Sequence, residues 1–118
     1  MIDRLRRLFT RTDDGAPRPT VDANTALRLV RDGATLLDVR ERDEWRSGHA
    51  PQAVHVPLGD VATTAPRRLR DGATVVVVCA SGMRSRTAAR QLRSLGYAAT
   101  SLSGGMGAWQ AAGGAVRR

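Results

Sequence analysis

The chain has 118 residues (12.7 kDa), with 19 basic and 11 acidic residues and a formal net charge of +8. That length fits one ordinary domain, and a hydrophobic content of 42% argues against disorder. The single cysteine excludes an internal disulfide, and the longest apolar run, Val75–Ala80, is too short to cross a bilayer.

Residues 1–18 read as an N-terminal basic amphipathic segment and linker. Ile2, Leu5, Leu8 and Phe9 stand opposite Arg4, Arg6, Arg7 and Arg11, followed by the turn-rich Thr12–Pro19. Such a segment docks on the domain, frays, or attaches weakly to anionic lipid; the first two are favoured, since eleven residues are marginal as an isolated helix. No early apolar stretch ends in a small-residue cleavage site, so the expected location is cytoplasmic, away from membranes. Residues 19–118 form the expected domain. Asp22 caps a predicted helix whose apolar face is Ala23, Ala26, Leu27 and Val30, ended by Gly33. Thr35–Val39 reads as a buried strand, Glu41–Ser47 as a short helix, and Val54–Val56 as a brief strand stopped by Pro57. Thr74–Val78 holds four consecutive valines, which suits a strand buried on both faces of a parallel sheet. Ser85–Leu95 is a predicted helix with Ala88, Ala89, Leu92 and Leu95 inward and Arg86, Arg90 and Arg93 outward. Ala98–Leu102 is a further strand, and the glycine turn after it opens a last helix holding Met106 and Trp109. Alternating strands and helices give an α/β class with a mainly parallel sheet.

The charge is unevenly placed. Residues 67–93 hold seven arginines and one acid, Asp71, so they carry +6 of the total +8. The cysteine lies in that stretch. Every basic residue is arginine, which fits the coding bias of a GC-rich bacterial genome. A nucleic-acid surface interleaves basic residues with aromatics that stack on bases. Phe9, Trp45, Tyr97 and Trp109 all lie outside the basic stretch, which disfavours nucleic acid as a partner. The basic face is either solvated or steers small anions or an acidic partner.

Cys79 ends the strongest predicted strand and begins the loop Cys79-Ala80-Ser81-Gly82-Met83-Arg84, after which Ser85 opens a helix. Ligands of parallel sheets bind beyond the carboxyl ends of strands, where loop amides and a helix amino end make an anion cradle. Amides and Arg84 favour thiolate over thiol, Gly82 permits a tight turn, and Ser85 is placed to cap the helix. A free cysteine is often merely buried structure. Here its position and its loop point to an activated nucleophile.

The loop Cys79–Ser85 resembles the active-site loop of the rhodanese sulfurtransferases. Leu36–Leu58 (LLDVRERDEWRSGHAPQAVHVPL), Leu102–Met106 with Trp109, and Val21–Val30 resemble three further segments of that family, so the likeness covers roughly residues 19–116. The resemblance implies a rhodanese-like fold, a five-stranded mainly parallel sheet flanked by helices on both faces. It implies transfer of a sulfane sulfur through a persulfide on Cys79. The expected protein is a monomer with no cofactor and no metal. The donor is a small anion such as thiosulfate, and the acceptor is cyanide or a thiol, including a protein thiol. A relay or sulfide-sensing module of the same fold is the alternative. Related phosphatases use a loop one residue longer than the four residues between Cys79 and Arg84, so phosphate chemistry is disfavoured. Ala80, Ser81, Gly82, Met83, Arg84 and Ser85 are the expected substrate-binding residues.

Asp38 and Arg40 are supporting candidates. Asp38 either holds Arg84 or loop amides, or makes an ordinary ion pair or helix cap. Arg40 sits four residues before Glu44, a spacing that suits a structural pair. His49 and His55 read as hydrogen-bonded structural residues, because a persulfide carrier needs no base. Ser81 either reaches substrate or only shapes the turn. Ala50 and Gln52 depart from the family's usual residues, which affects a local turn and not the reaction.

Overall fold

The computed structural model describes residues 18–118. The amphipathic segment expected near the amino end lies outside the described residues. The elements run β1 (Thr20–Val21), α1 (Ala23–Arg31), β2 (Thr35–Asp38), α2 (Arg42–Ser47), β3 (Val54–His55), a 3₁₀ turn (Leu58–Asp60) leading into α3 (Val61–Arg68), β4 (Thr74–Val78), α4 (Met83–Ser94), β5 (Ala98–Leu102) and α5 (Gly105–Ala111). The five strands form one sheet in the order β1-β5-β4-β2-β3, every pairing parallel. The fold is therefore α/β, as the alternation of elements implied.

β4 is the central strand, hydrogen-bonded to β2 on one side and β5 on the other. This placement explains its unbroken valine run. Val75 and Val77 face a core layer with Ala65 of α3 and Ala88, Ala89 and Leu92 of α4. Val76 and Val78 face the opposite layer with Ala26 and Leu29 of α1 and Trp109 of α5. Both sets are fully buried, so a hydrophobic side chain is favoured at every position rather than at alternate ones. Cys79 is the next residue of that strand and shares the α4 layer.

The helices mostly follow their sequence signals. Asp22 caps α1, its Oδ1 accepting the Thr25 N–H at 2.8 Å. Some expectations fail for identifiable reasons. α4 starts at Met83, two residues before the expected Ser85, because Gly82 takes φ +114° and closes the turn early. Ser85 is consequently inside the first turn and not at the cap. Leu95 lies past the end of α4, where the chain turns away, and is exposed rather than inward. Arg93 does not point outward. Its guanidinium is half-buried and donates to the Ala99 carbonyl at 3.1 Å. Burial lowers its pKa from the ordinary arginine value, with Arg90 adding repulsion. α3 and β1 have no counterpart in the elements read from the sequence.

Candidate active site

Cys79 leaves β4 at its carboxyl end and is 1% exposed. The turn that follows wraps around the sulfur. Sγ accepts the Gly82 N–H at 3.0 Å and lies 3.5 Å from Ser85 Oγ. The left-handed conformation at Gly82 turns the chain into α4 directly after that amide. Burial pushes the Cys79 thiol up. Hydrogen bonds from the Ser85 side chain and from the backbone amides of Ser85, Gly82 and Ser81 outweigh it, so the net shift is below the ordinary thiol value. The amino end of the twelve-residue α4 faces the same sulfur. The loop therefore favours the anionic form of Cys79 mainly through oriented N–H and O–H dipoles.

The main chain of Cys79 is pinned from behind. Its carbonyl accepts the Met106 N–H at 3.0 Å. That close approach of α5 requires Gly105, at φ +64°, because any Cβ there would collide with the carbonyls of Ala80 and Cys79. The sequence marks Gly105 only as part of a turn. Ala80 and Ser81 are exposed beside the sulfur, and Met83 is 69% exposed on the first turn of α4.

Arg84 is half-buried and forms a forked ion pair with Glu44 of α2, at 2.6 and 2.8 Å. The pair holds the Glu44 carboxyl down at about 2 and raises the Arg84 guanidinium above its ordinary value. Two sequence expectations change here. Glu44 pairs with Arg84 and not with Arg40, and Arg84 is anchored by Glu44 and not by Asp38. Asp38 instead accepts the Arg40 N–H and Nε at 3.0 Å and its Nη2 at 2.8 Å. Arg40 Nη2 also donates to the Gly48 carbonyl at 2.7 Å. That buried pair ties the end of β2 to the end of α2, next to the cysteine loop and not against the sulfur.

The histidines are structural. His49 Nδ1 is 2.7 Å from the Trp45 carbonyl, and His55 Nε2 is 2.7 Å from the Arg40 carbonyl. Both rings stack on Trp45, with centroids 3.6 and 4.7 Å away. Ala50 is fully buried and Gln52 exposed. Among the described residues, no cluster of His, Cys, Asp or Glu is arranged to hold a metal. No described helix is long and apolar enough to cross a membrane. A groove of about 400 Å³ lined by Arg40, Gly48, Met106 and Gln110 opens nearby, and Cys79 does not line it.

The chain is similar to known proteins. "Putative sulfurtransferase YtwF" of Bacillus subtilis is 39% identical over 75 residues, covering 64% of this chain and 72% of YtwF. "Putative sulfur carrier protein YrkF" of the same organism is 40% identical over 62 residues, 52% of this chain but only 33% of YrkF. The solution structure of the rhodanese-like domain of the Anabaena protein Alr3790 superposes with a TM-score of 0.75 at 32% identity, covering 85% of this chain and 79% of that one. The profile of the rhodanese-like domain matches residues 22–112, from the cap of α1 to the end of α5. With its cysteine at the end of the central parallel strand and that match spanning four of the five strands and all five helices, the chain belongs to the rhodanese-like domain family.

Proposed function

We propose that this protein is a sulfurtransferase that carries a sulfane sulfur as a persulfide on Cys79. The observation that carries the reading is the sulfur itself, held as an acceptor by the Gly82 amide at 3.0 Å beneath a loop of further N–H donors. In the loading step the Cys79 thiolate attacks the outer sulfur of thiosulfate. A Cys79 S–S bond forms, the thiosulfate S–S bond breaks, and sulfite leaves with the bonding electron pair. In the second step cyanide or a thiolate attacks the outer persulfide sulfur, and the Cys79 thiolate is released. Every species in this cycle is an anion, so the same dipoles serve the thiolate, the persulfide and the incoming donor. One cysteine is sufficient, since the acceptor supplies the second nucleophile. The domain is read as residues 19–118, with Ala80 to Ser85 around the substrate and Asp38 with Arg40 supporting the loop's surroundings.

The name of YrkF, a sulfur carrier, supports a second reading in which the domain relays sulfur to a protein thiol with little turnover on free thiosulfate. Intact mass measurement separates the two. Thiosulfate treatment is expected to add one sulfur atom, removed by cyanide and absent from Cys79→Ala. Loading only from a protein or polysulfide donor favours the relay. No sulfur gained from any sulfane donor overturns both.

A further inference from the structure

The hydrogen bonds around Cys79 continue one residue beyond the loop, to a hydroxyl on β5. Ser85 Oγ lies 2.7 Å from Ser101 Oγ, 3.0 Å from the Gly82 carbonyl and 3.5 Å from Cys79 Sγ. Ser85 and Ser101 are both fully buried. Each hydroxyl has one proton to give. Among the described residues the Ser101 hydroxyl has Ser85 as its hydrogen-bond partner, so a Ser85 donation toward Ser101 would leave the Ser101 proton buried without an acceptor. A buried unmade hydrogen bond costs more than a made one returns, which fixes the direction of the contact.

We propose that Ser101 is a positioning residue for the Cys79 nucleophile, its hydroxyl donating permanently to Ser85 Oγ so that the Ser85 proton is free to turn onto the sulfur whenever that sulfur is anionic. With a neutral thiol, Ser85 gives its proton to the Gly82 carbonyl. With a thiolate or persulfide, the Ser85 hydroxyl rotates to the sulfur. The Ser101 donation strengthens Ser85 as a donor and weakens it as an acceptor of the S–H. Both effects favour the anion. The other charges around the loop are Arg84 on α4, paired with Glu44 of α2 and also drawn by Glu41 just before α2, and Asp38 at the end of β2, paired with Arg40. β5 and α5 contain no charged residue, so on that side of the site the hydroxyl is the polar device. The proposal rests on Cys79 being the working nucleophile, and it adds a residue outside the cysteine loop.

The test is the pH profile of Cys79 alkylation by iodoacetamide in the full chain, which needs no sulfur donor. Ser101→Ala is expected to move the midpoint to higher pH and to slow alkylation below it by about fivefold, the effect of one lost neutral hydrogen bond. The high-pH plateau is expected to stay unchanged. Ser101→Thr, which keeps the hydroxyl, is expected to restore the profile. In a Ser85→Ala background, Ser101→Ala is expected to add nothing. An unmoved midpoint in Ser101→Ala, or a shift that adds fully to that of Ser85→Ala, overturns the proposal. A Ser101 shift in a chain that takes no sulfur from any donor sinks the sulfur-transfer reading and leaves the Ser101 role standing.

Discussion

The guanidinium of Arg84 meets the carboxylate of Glu44 fork to fork, Nη1 to Oε1 and Nη2 to Oε2, across forty residues of sequence. The arginine beside the nucleophile is thus a held cation, its charge largely balanced, and the loop dipoles do most to favour the thiolate. Glu44→Gln removes the balancing charge and is expected to lower the Cys79 alkylation midpoint. Arg84→Gln leaves Glu44 unpaired near the loop and is expected to raise it. Each shift is expected to be a few tenths of a pH unit, because the pair is partly solvated. Equal midpoints in the two variants and the native chain would remove any electrostatic role for the pair.

The same pair sets an acid limit. The Glu44 carboxyl is depressed in the folded state to about 2, below its ordinary 4.5. A group depressed in this way contributes stability above its unfolded value and loses it as pH falls through the folded one. The contribution of the pair is complete above pH ~4.5 and gone near pH ~2. Thermal unfolding of Glu44→Gln and of the native chain is expected to differ at pH 7 and to converge toward pH 2, and a constant difference down to pH 2 would contradict the assignment.

Arg86 and Arg90 lie exposed on α4, one and two turns beyond the loop, with Arg67, Arg68 and Arg70 exposed at the end of α3 and just after it. If this face steers anionic donors, kcat/KM for thiosulfate falls severalfold as added salt shortens the Debye length from ~30 to ~8 Å. Arg86→Glu with Arg90→Glu is expected to flatten that dependence while leaving kcat near its native value. A rate indifferent to salt makes the face an ordinary solvated surface.

Gly105→Ala combines an unfavourable positive φ with a collision against the Ala80 and Cys79 carbonyls. It is expected to cost about 2 kcal/mol or more and to lower the Tm by several degrees. Because the displaced atoms carry the nucleophile, sulfur loading is expected to fall further than stability explains. Native loading in a folded Gly105→Ala chain would show that the approach of α5 is irrelevant to the site.

The loop length is itself a variable. One alanine inserted after Ser81 pulls the Gly82 amide off the sulfur and widens the cradle. Loading from thiosulfate is expected to drop about a hundredfold, the scale associated with misplacing a reacting group by roughly an ångström. Unchanged turnover would refute the link between loop size and a sulfur substrate.

Local signals made much of this legible in the sequence. The valine run announced a strand covered on both sides, and Cys79 at its end announced the site. What stayed hidden depended on distant partners. Four-residue spacing, the rule visible in the sequence, points Glu44 to Arg40, whereas its partner comes from another helix. Ser101 sits in AATSL, where nothing distinguishes it from Thr100, a buried neighbour whose hydroxyl has no hydrogen-bond partner among the described residues. α3, with the sequence VATTAPRR, is hidden because Pro66 and its polar residues mask a helix whose buried residues are Val61 and Ala65. Leu95 fits the apolar face of α4 because a periodic pattern does not show where the helix stops.

The Cys79 surroundings come from α2, α4, β5 and α5, and the carbonyl clasp by Met106 closes only when the carboxyl-terminal helix docks. Bringing such separated segments together is the slow, entropically costly part of folding a parallel sheet. A growing chain that has produced Cys79 but not yet β5 therefore lacks both the Ser101 hydroxyl and the Met106 clasp behind the nucleophile. The surroundings of the sulfur are thus assembled only once the last strand and helix have docked, which ties completion of the site to completion of the fold.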